Sequence, residues 1–173
     1  QHISREIENG TLELLLAQPF KRSTLILSLW TAGGLIIMLI MASALAGSIL
    51  AILIFHHLTT LNLIHLLQIA ANLWLLIYLI LSFTLMIAVF SRPGFKAGNL
   101  SAVITLVFYL LYFIAQIWDD ISFTKPINIF HYFQPQNVMM GKGNIGRDIM
   151  VLAGAVLICF GISFRQFERR DIP

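Results

Sequence analysis

The sequence predicts an all-α, polytopic helical membrane protein with about four transmembrane helices and one short surface helix before the first of them. Hydrophobic residues make up 58% of the 173 residues and charged residues only 11%, with a mean hydropathy of +0.86. Soluble domains contain roughly 45–50% apolar and about 25% charged residues. The apolar residues also form long runs without charge, and a run of about 20 residues is enough to cross a bilayer.

Four stretches of the chain are predicted to cross the membrane, namely residues 24–55, 63–90, 100–118 and 148–164. The first stretch is long for a single crossing, which predicts a tilted helix or helix ends that extend past the lipid. Residues 119–147 contain several prolines and glycines, so we predict a largely irregular loop with an aromatic patch at 130–133. Residues 1–23 and 165–173 flank the spans as a charged segment and a basic tail.

Lysine and arginine residues are distributed unequally between the two sides of the predicted membrane. Residues 1–23, the loop at 91–99 and the tail together contain eight, whereas the loop at 119–147 contains three. Loops rich in Lys and Arg face the cytoplasm. We therefore expect both ends of the chain in the cytoplasm and residues 119–147 outside it.

Few residues in this sequence suggest catalysis or metal binding. The single cysteine, Cys159, lies in an apolar run and excludes a disulfide within the chain. Gly141–Gly146 matches the G-x-G-x-x-G pattern but lacks the strand and helix that a dinucleotide site requires. His56, His57 and His65 have no carboxylate beside them, and metal sites normally recruit three or four ligands. We predict no catalytic residue, no metal site and no nucleic-acid partner.

Two amide side chains interrupt the second predicted span. Gln68 and Asn72 lie four residues apart and therefore share one helix face. Unpaired amides are unfavourable in lipid, so this face should point at other helices or at a water-filled cavity. The two residues either line a substrate path or form hydrogen bonds between helices, and the second interpretation is favoured.

The opening segment of the chain carries the signals of a short amphipathic helix. Asn9-Gly10 is a turn signal, Thr11 is a suitable N-cap, and Pro19 ends the helix. Three leucines share one face at helical spacing, namely Leu12, Leu15 and Leu16. Such a helix would lie at the membrane surface and present one face to a soluble partner, and a plain juxtamembrane connector is the alternative.

This segment resembles a known family. The string from Glu6 to Arg22, EIENGTLELLLAQPFKR, is similar to the cytoplasmic loop of exporter-type ABC transporter permeases, with an acidic pair, Gly-Thr-Leu, a leucine-rich turn, a proline and a basic residue. The end of the chain, FRQFERRDIP at 164–173, resembles the Phe-x-Arg-Arg-Asp tail of many members. Members also have spans before this loop, so we expect the chain to be a C-terminal portion that lacks the first two spans.

The resemblance implies the permease subunit of an ABC transporter, which moves a substrate across the cytoplasmic (inner) membrane by alternating access. It implies that ATP and Mg²⁺ bind to a separate ATPase subunit, so this chain is not itself an enzyme and holds no cofactor. A second permease copy or a paralogue is the other implied partner within the lipid bilayer. The alternatives are a membrane scaffold that recruits an ATPase for assembly and, less favoured, a membrane-embedded enzyme.

The resemblance also implies a coupling helix over residues 11–17 that fits a cleft on the ATPase. The implied ATPase-coupling residues are Glu6, Glu8, Gly10, Thr11, Leu12, Glu13, Leu15 and Leu16.

Overall fold

The computed structural model describes residues 22–54, 63–91 and 96–169. Across these ranges every regular element of secondary structure is a helix, and there is no β-strand. The helices, in chain order, are α1 (Arg22–Ile54), α2 (Leu63–Phe90), α3 (Ala97–Ile117), the 3₁₀ helices η1 (Asp119–Ile127) and η2 (Ile129–Tyr132), α4 (Pro135–Met139) and α5 (Ile145–Arg169).

Four of these helices, α1, α2, α3 and α5, are long and apolar enough to cross a membrane. This confirms the predicted fold class, an all-α polytopic membrane protein. In α1 the apolar stretch Thr24–Ile54 has 31 residues. At about 1.5 Å per residue it is longer than the roughly 30 Å hydrocarbon core, so α1 must tilt or extend beyond the lipid.

Successive spans run in opposite directions through the bundle. Trp30 near the start of α1 bonds to Ser82 near the end of α2, and Thr84 near the end of α2 bonds to Ser101 near the start of α3. We call the membrane face at which α1 and α3 begin the proximal face. The opposite face, at which α2 and α5 begin, is the distal face.

Helix α2 is the centre of the bundle. It packs against α1, α3, α4 and α5, and its most extensive contact is with α5. The buried cluster that joins these two helices consists of Leu76, Tyr78, Leu79, Tyr132, Leu152 and Val156. The other spans leave much more of their apolar surface exposed, as expected for helices that face lipid or other spans.

Aromatic residues and a glycine join α1 to α2. A Cβ atom at Gly34 would lie 2.8 Å from Cε2 of Tyr78, so only glycine permits this close approach. Trp74 Nε1 donates to the Gly34 carbonyl at 3.3 Å, and Tyr78 Oη donates to the Trp30 carbonyl at 3.2 Å. Trp74 and Tyr78 are amphipathic rings that suit either the membrane interface or the interior of a bundle, and the structure packs both against α1.

Residues 119–144 between α3 and α5, which we call the distal cap, contain more regular structure than predicted. The sequence predicted a largely irregular loop, whereas the structure has η1, η2 and α4 there. Pro135 lies at the start of α4. The N–H groups of the first helical turn have no acceptor within the helix, so proline, which lacks an N–H, loses no hydrogen bond there. Gly141 adopts a positive φ of 68° just after α4 ends. The proline and the glycine thus bound a short helix rather than prevent one.

Candidate functional site

The residues expected to contact an ATPase lie outside the described part of the chain. They are Glu6, Glu8, Gly10, Thr11, Leu12, Glu13, Leu15 and Leu16. Their placement therefore stays a prediction, and the described candidate site consists of the polar groups within the spans and the distal cap.

Asn72 joins α2 to the distal cap. Its side chain is only 1% exposed, and Nδ2 donates a hydrogen bond of 2.8 Å to the main-chain carbonyl of Tyr132. Its Oδ1 atom is buried and has no hydrogen-bond partner among the described residues. Gln68, one turn nearer the distal face, is half-buried. The amide of Asn72 therefore bonds to a segment between spans rather than directly to another membrane helix.

The distal cap is fixed to α3 by a second buried amide. Asn128 Nδ2 donates to the Phe108 carbonyl at 2.6 Å, and its Oδ1 accepts from the N–H of Phe130 at 3.0 Å. The ring of Phe130 meets that of Tyr109 edge-on, with centroids 5.5 Å apart. Sequence reasoning missed Asn128 because a single asparagine in a loop gives no signal of its partner.

Tyr132 fixes the same segment to the bundle core. It is buried, and its Oη donates to the Pro126 carbonyl at 2.7 Å. Tyr132 belongs to the aromatic patch at 130–133 that the sequence analysis identified. The structure places its ring within the core cluster shared with α2 and α5.

Trp30 links three spans near the proximal face. Its Nε1 donates to Ser82 Oγ at 2.9 Å, and its ring stacks on Phe160 of α5 with centroids 4.2 Å apart. Ser82 is fully buried and donates in turn to the Tyr78 carbonyl at 2.9 Å. The Trp30 indole and the Ser82 hydroxyl are thus paired in the way that an apolar environment requires.

The described site offers little reactive chemistry. Within residues 22–54, 63–91 and 96–169, no group of three His, Cys, Asp or Glu residues is placed to hold a metal ion. Of the three histidines considered above, His65 lies in α2, whereas His56 and His57 lie outside the described ranges. The arrangement is one of apolar spans joined by a few buried hydrogen bonds.

Fold and site together define a multi-pass helical membrane protein. The chain matches the family model described as ABC-2 family transporter protein over residues 1–172. The chain therefore belongs to this family, whose members are membrane permeases of ABC transporters. No curated protein and no solved structure matches it.

Proposed function

We propose that this chain is the permease subunit of an ABC exporter, which moves its substrate across the cytoplasmic membrane by alternating access. ATP binds and is hydrolysed on a separate ATPase subunit, so the chain itself is not an enzyme. The match to the ABC-2 family over residues 1–172 is the observation that carries this proposal. The four apolar helices supply the membrane-spanning part that such a subunit needs.

In this proposal the ATPase docks on the opening segment. Residues 11–17 form the coupling helix, with Leu12, Leu15 and Leu16 as its buried contact. Glu6, Glu8 and Glu13 pair with basic residues on the ATPase. The segment precedes α1, so the proximal face is the cytoplasmic one, which agrees with the excess of Lys and Arg predicted for that side.

A second permease copy or a paralogue completes the transporter. Helix α1 leaves apolar surface exposed along most of its length, for example at Leu39, which is 71% exposed, and this surface is available to such a partner.

The structure also suggests which parts move together. Helices α2 and α5 share the buried core, so they shift as one unit during alternating access, while α1 and α3 supply the surfaces that slide.

The docking proposal is tested by co-purification of the full-length permease with its candidate ATPase. Leu15→Asp places a charge in the proposed apolar contact, where an unpaired charge costs several kcal/mol. Leu14→Asp is the matched control, because Leu14 lies off the face shared by Leu12, Leu15 and Leu16. We expect Leu15→Asp to lose the ATPase and Leu14→Asp to retain it.

Both variants should insert into the membrane as the native protein does, which gel filtration in detergent checks. Equal recovery of the ATPase with both variants and with the native protein would contradict docking through this face of the segment. Recovery of no ATPase even with the native loop would contradict the proposed function itself.

A further inference from the structure

Two pockets follow one another along α3. Ile104, Phe108, Tyr112 and Gln116 are spaced four residues apart, so they lie on successive turns of the helix, each rotated by about 40° from the one before. Ile104 and Phe108 line the first pocket, and Tyr112 and Gln116 line the second. From Ile104 to Gln116 the helix rises by about 18 Å, at roughly 1.5 Å per residue, toward the distal face.

The first pocket is apolar and lies within the bundle. Its volume is about 160 Å³, and it lies between α2, α3, α5 and η2. A dry apolar cavity of roughly 150 Å³ accepts a benzene molecule, so this pocket has room for a short stretch of acyl chain. Its principal lining residues are Leu79, Phe83, Ile104, Phe108, Ile129 and Cys159.

The second pocket lies at the distal end of α3 and is lined about equally by polar and apolar surface, and we call it the polar pocket to distinguish it from the almost wholly apolar first one. Its volume is about 490 Å³, within the range of ligand sites. Lys125 supplies a positive charge, and no carboxylate is among the described residues that line it. The side chains of its lining offer several N–H and O–H donors, principally from Tyr112, Gln116, Lys125, His131, Gln136 and Asn137.

The distal cap supplies residues to both pockets. Ile129 of η2 lines the apolar pocket, and His131, two residues further along the same short helix, lines the polar one. The surface beside the polar pocket is apolar, with Ile117 at 74% and Trp118 at 64% exposure. An exposed tryptophan at the end of a span is typical of the depth at which lipid headgroups lie.

We propose that these two pockets form one binding site for a phospholipid with an anionic headgroup. The phosphate lies in the polar pocket against the Lys125 ammonium and the neighbouring amide donors. One acyl chain runs along α3 and enters the apolar pocket at Ile104 and Phe108. The site is independent of the proposed coupling to an ATPase, because none of its residues belongs to the opening segment.

The test titrates the purified full-length protein with lipid and counts bound lipid by native mass spectrometry. The probes are dioleoylphosphatidylglycerol, dioleoylglycerol, which lacks the phosphate, and glycerol 3-phosphate, which lacks the chains. We expect the phospholipid to bind at least about tenfold more tightly than either part alone, because a hydrogen bond to a charged group contributes about one order of magnitude in affinity.

Two variants address the two halves of the site. Lys125→Gln should weaken phosphatidylglycerol binding about tenfold and leave dioleoylglycerol unaffected. Lys142→Gln is its control, since Lys142 is exposed in the distal cap and lines neither pocket. Thr105→Phe should fill the apolar pocket and weaken both lipids. Val103→Phe adds similar bulk at a position on α3 that is 58% exposed and lines neither pocket, and it should leave the binding of both lipids unchanged.

Several results would overturn the proposal. If Lys125→Gln and Lys142→Gln bind phosphatidylglycerol with equal affinity, the headgroup does not bind at Lys125. Binding of glycerol 3-phosphate as tightly as the phospholipid would assign the polar pocket to a free anion instead. If Thr105→Phe and Val103→Phe bind the lipids with equal affinity, the apolar pocket does not hold an acyl chain. If Thr105→Phe does not fold, the comparison of Lys125→Gln with Lys142→Gln decides the matter.

Discussion

Asn72 shows what one buried amide contributes to a bundle of apolar helices. Its Nδ2 bond to the Tyr132 carbonyl is a polar link between the middle of the molecule and the distal cap. The amide spacing in the sequence indicated that this face of α2 points inward. It gave no sign of the acceptor, because a main-chain carbonyl sixty residues away has no signature in the sequence.

Replacing Asn72 by alanine should destabilise the protein through this bond. We expect Asn72→Ala to lower the free energy of unfolding by about 1 kcal/mol, because buried hydrogen bonds in membrane proteins contribute on that order. The midpoint of thermal unfolding in detergent micelles measures the change. Asn99→Ala, at an exposed position at the start of α3, is the control and should leave the midpoint unchanged. Equal midpoints for the two variants would contradict a stabilising role for the Asn72 bond.

The membrane-spanning helices could be predicted from the sequence, but the elements against which each helix packs could not. Long apolar runs without charge identify membrane helices, because a bilayer accepts little else. Helix α5 nevertheless extends from Ile145 to Arg169, beyond the apolar run at 148–164, since a helix continues into polar residues where the lipid ends. The places of Trp74 and Tyr78 could not be predicted, because amphipathic rings suit both the membrane interface and the interior of the bundle.

The contact between α1 and α2 depends on a glycine, which gives a direct test. Gly34→Leu should destabilise the bundle by about 1–3 kcal/mol, because its side chain would overlap the Tyr78 ring and displace the Trp74 bond. Gly47→Leu is the matched control in the same helix, since a Cβ there meets nothing within 4 Å. Thermal unfolding in detergent compares the two. A loss of stability as large for Gly47→Leu as for Gly34→Leu would show that the effect is not one of close packing.

For the whole molecule, the proposed orientation in the membrane follows from charge alone. With Cys159 replaced by alanine and any cysteine outside residues 1–173 also removed, a cysteine is introduced at one of two exposed lysines. These are Lys142 in the distal cap and Lys96 beside α3 at the proximal face. A membrane-impermeant thiol reagent should label Lys142→Cys in intact cells and Lys96→Cys only after the membrane is opened.

The reverse labelling pattern would place the proximal face outside the cell. The opening segment would then lie on the side without ATP, and docking of an ATPase through Leu12, Leu15 and Leu16 would be excluded. The phospholipid site would be unaffected, because its pockets are defined by α3 and the distal cap irrespective of which compartment the cap faces.

The hydrogen bonds of Trp30 and Asn72 become possible one after the other as the chain is synthesised. The partner of Trp30 lies 52 residues later in the chain, and that of Asn72 lies 60 residues later. When α1 and α2 have left the ribosome, the Trp30 indole already has Ser82 to bind. The amide of Asn72 has no acceptor until the distal cap has been translated. A nascent chain that stops after α3 therefore lacks the carbonyl to which the Asn72 amide donates, and the link between its second span and the distal cap cannot yet form.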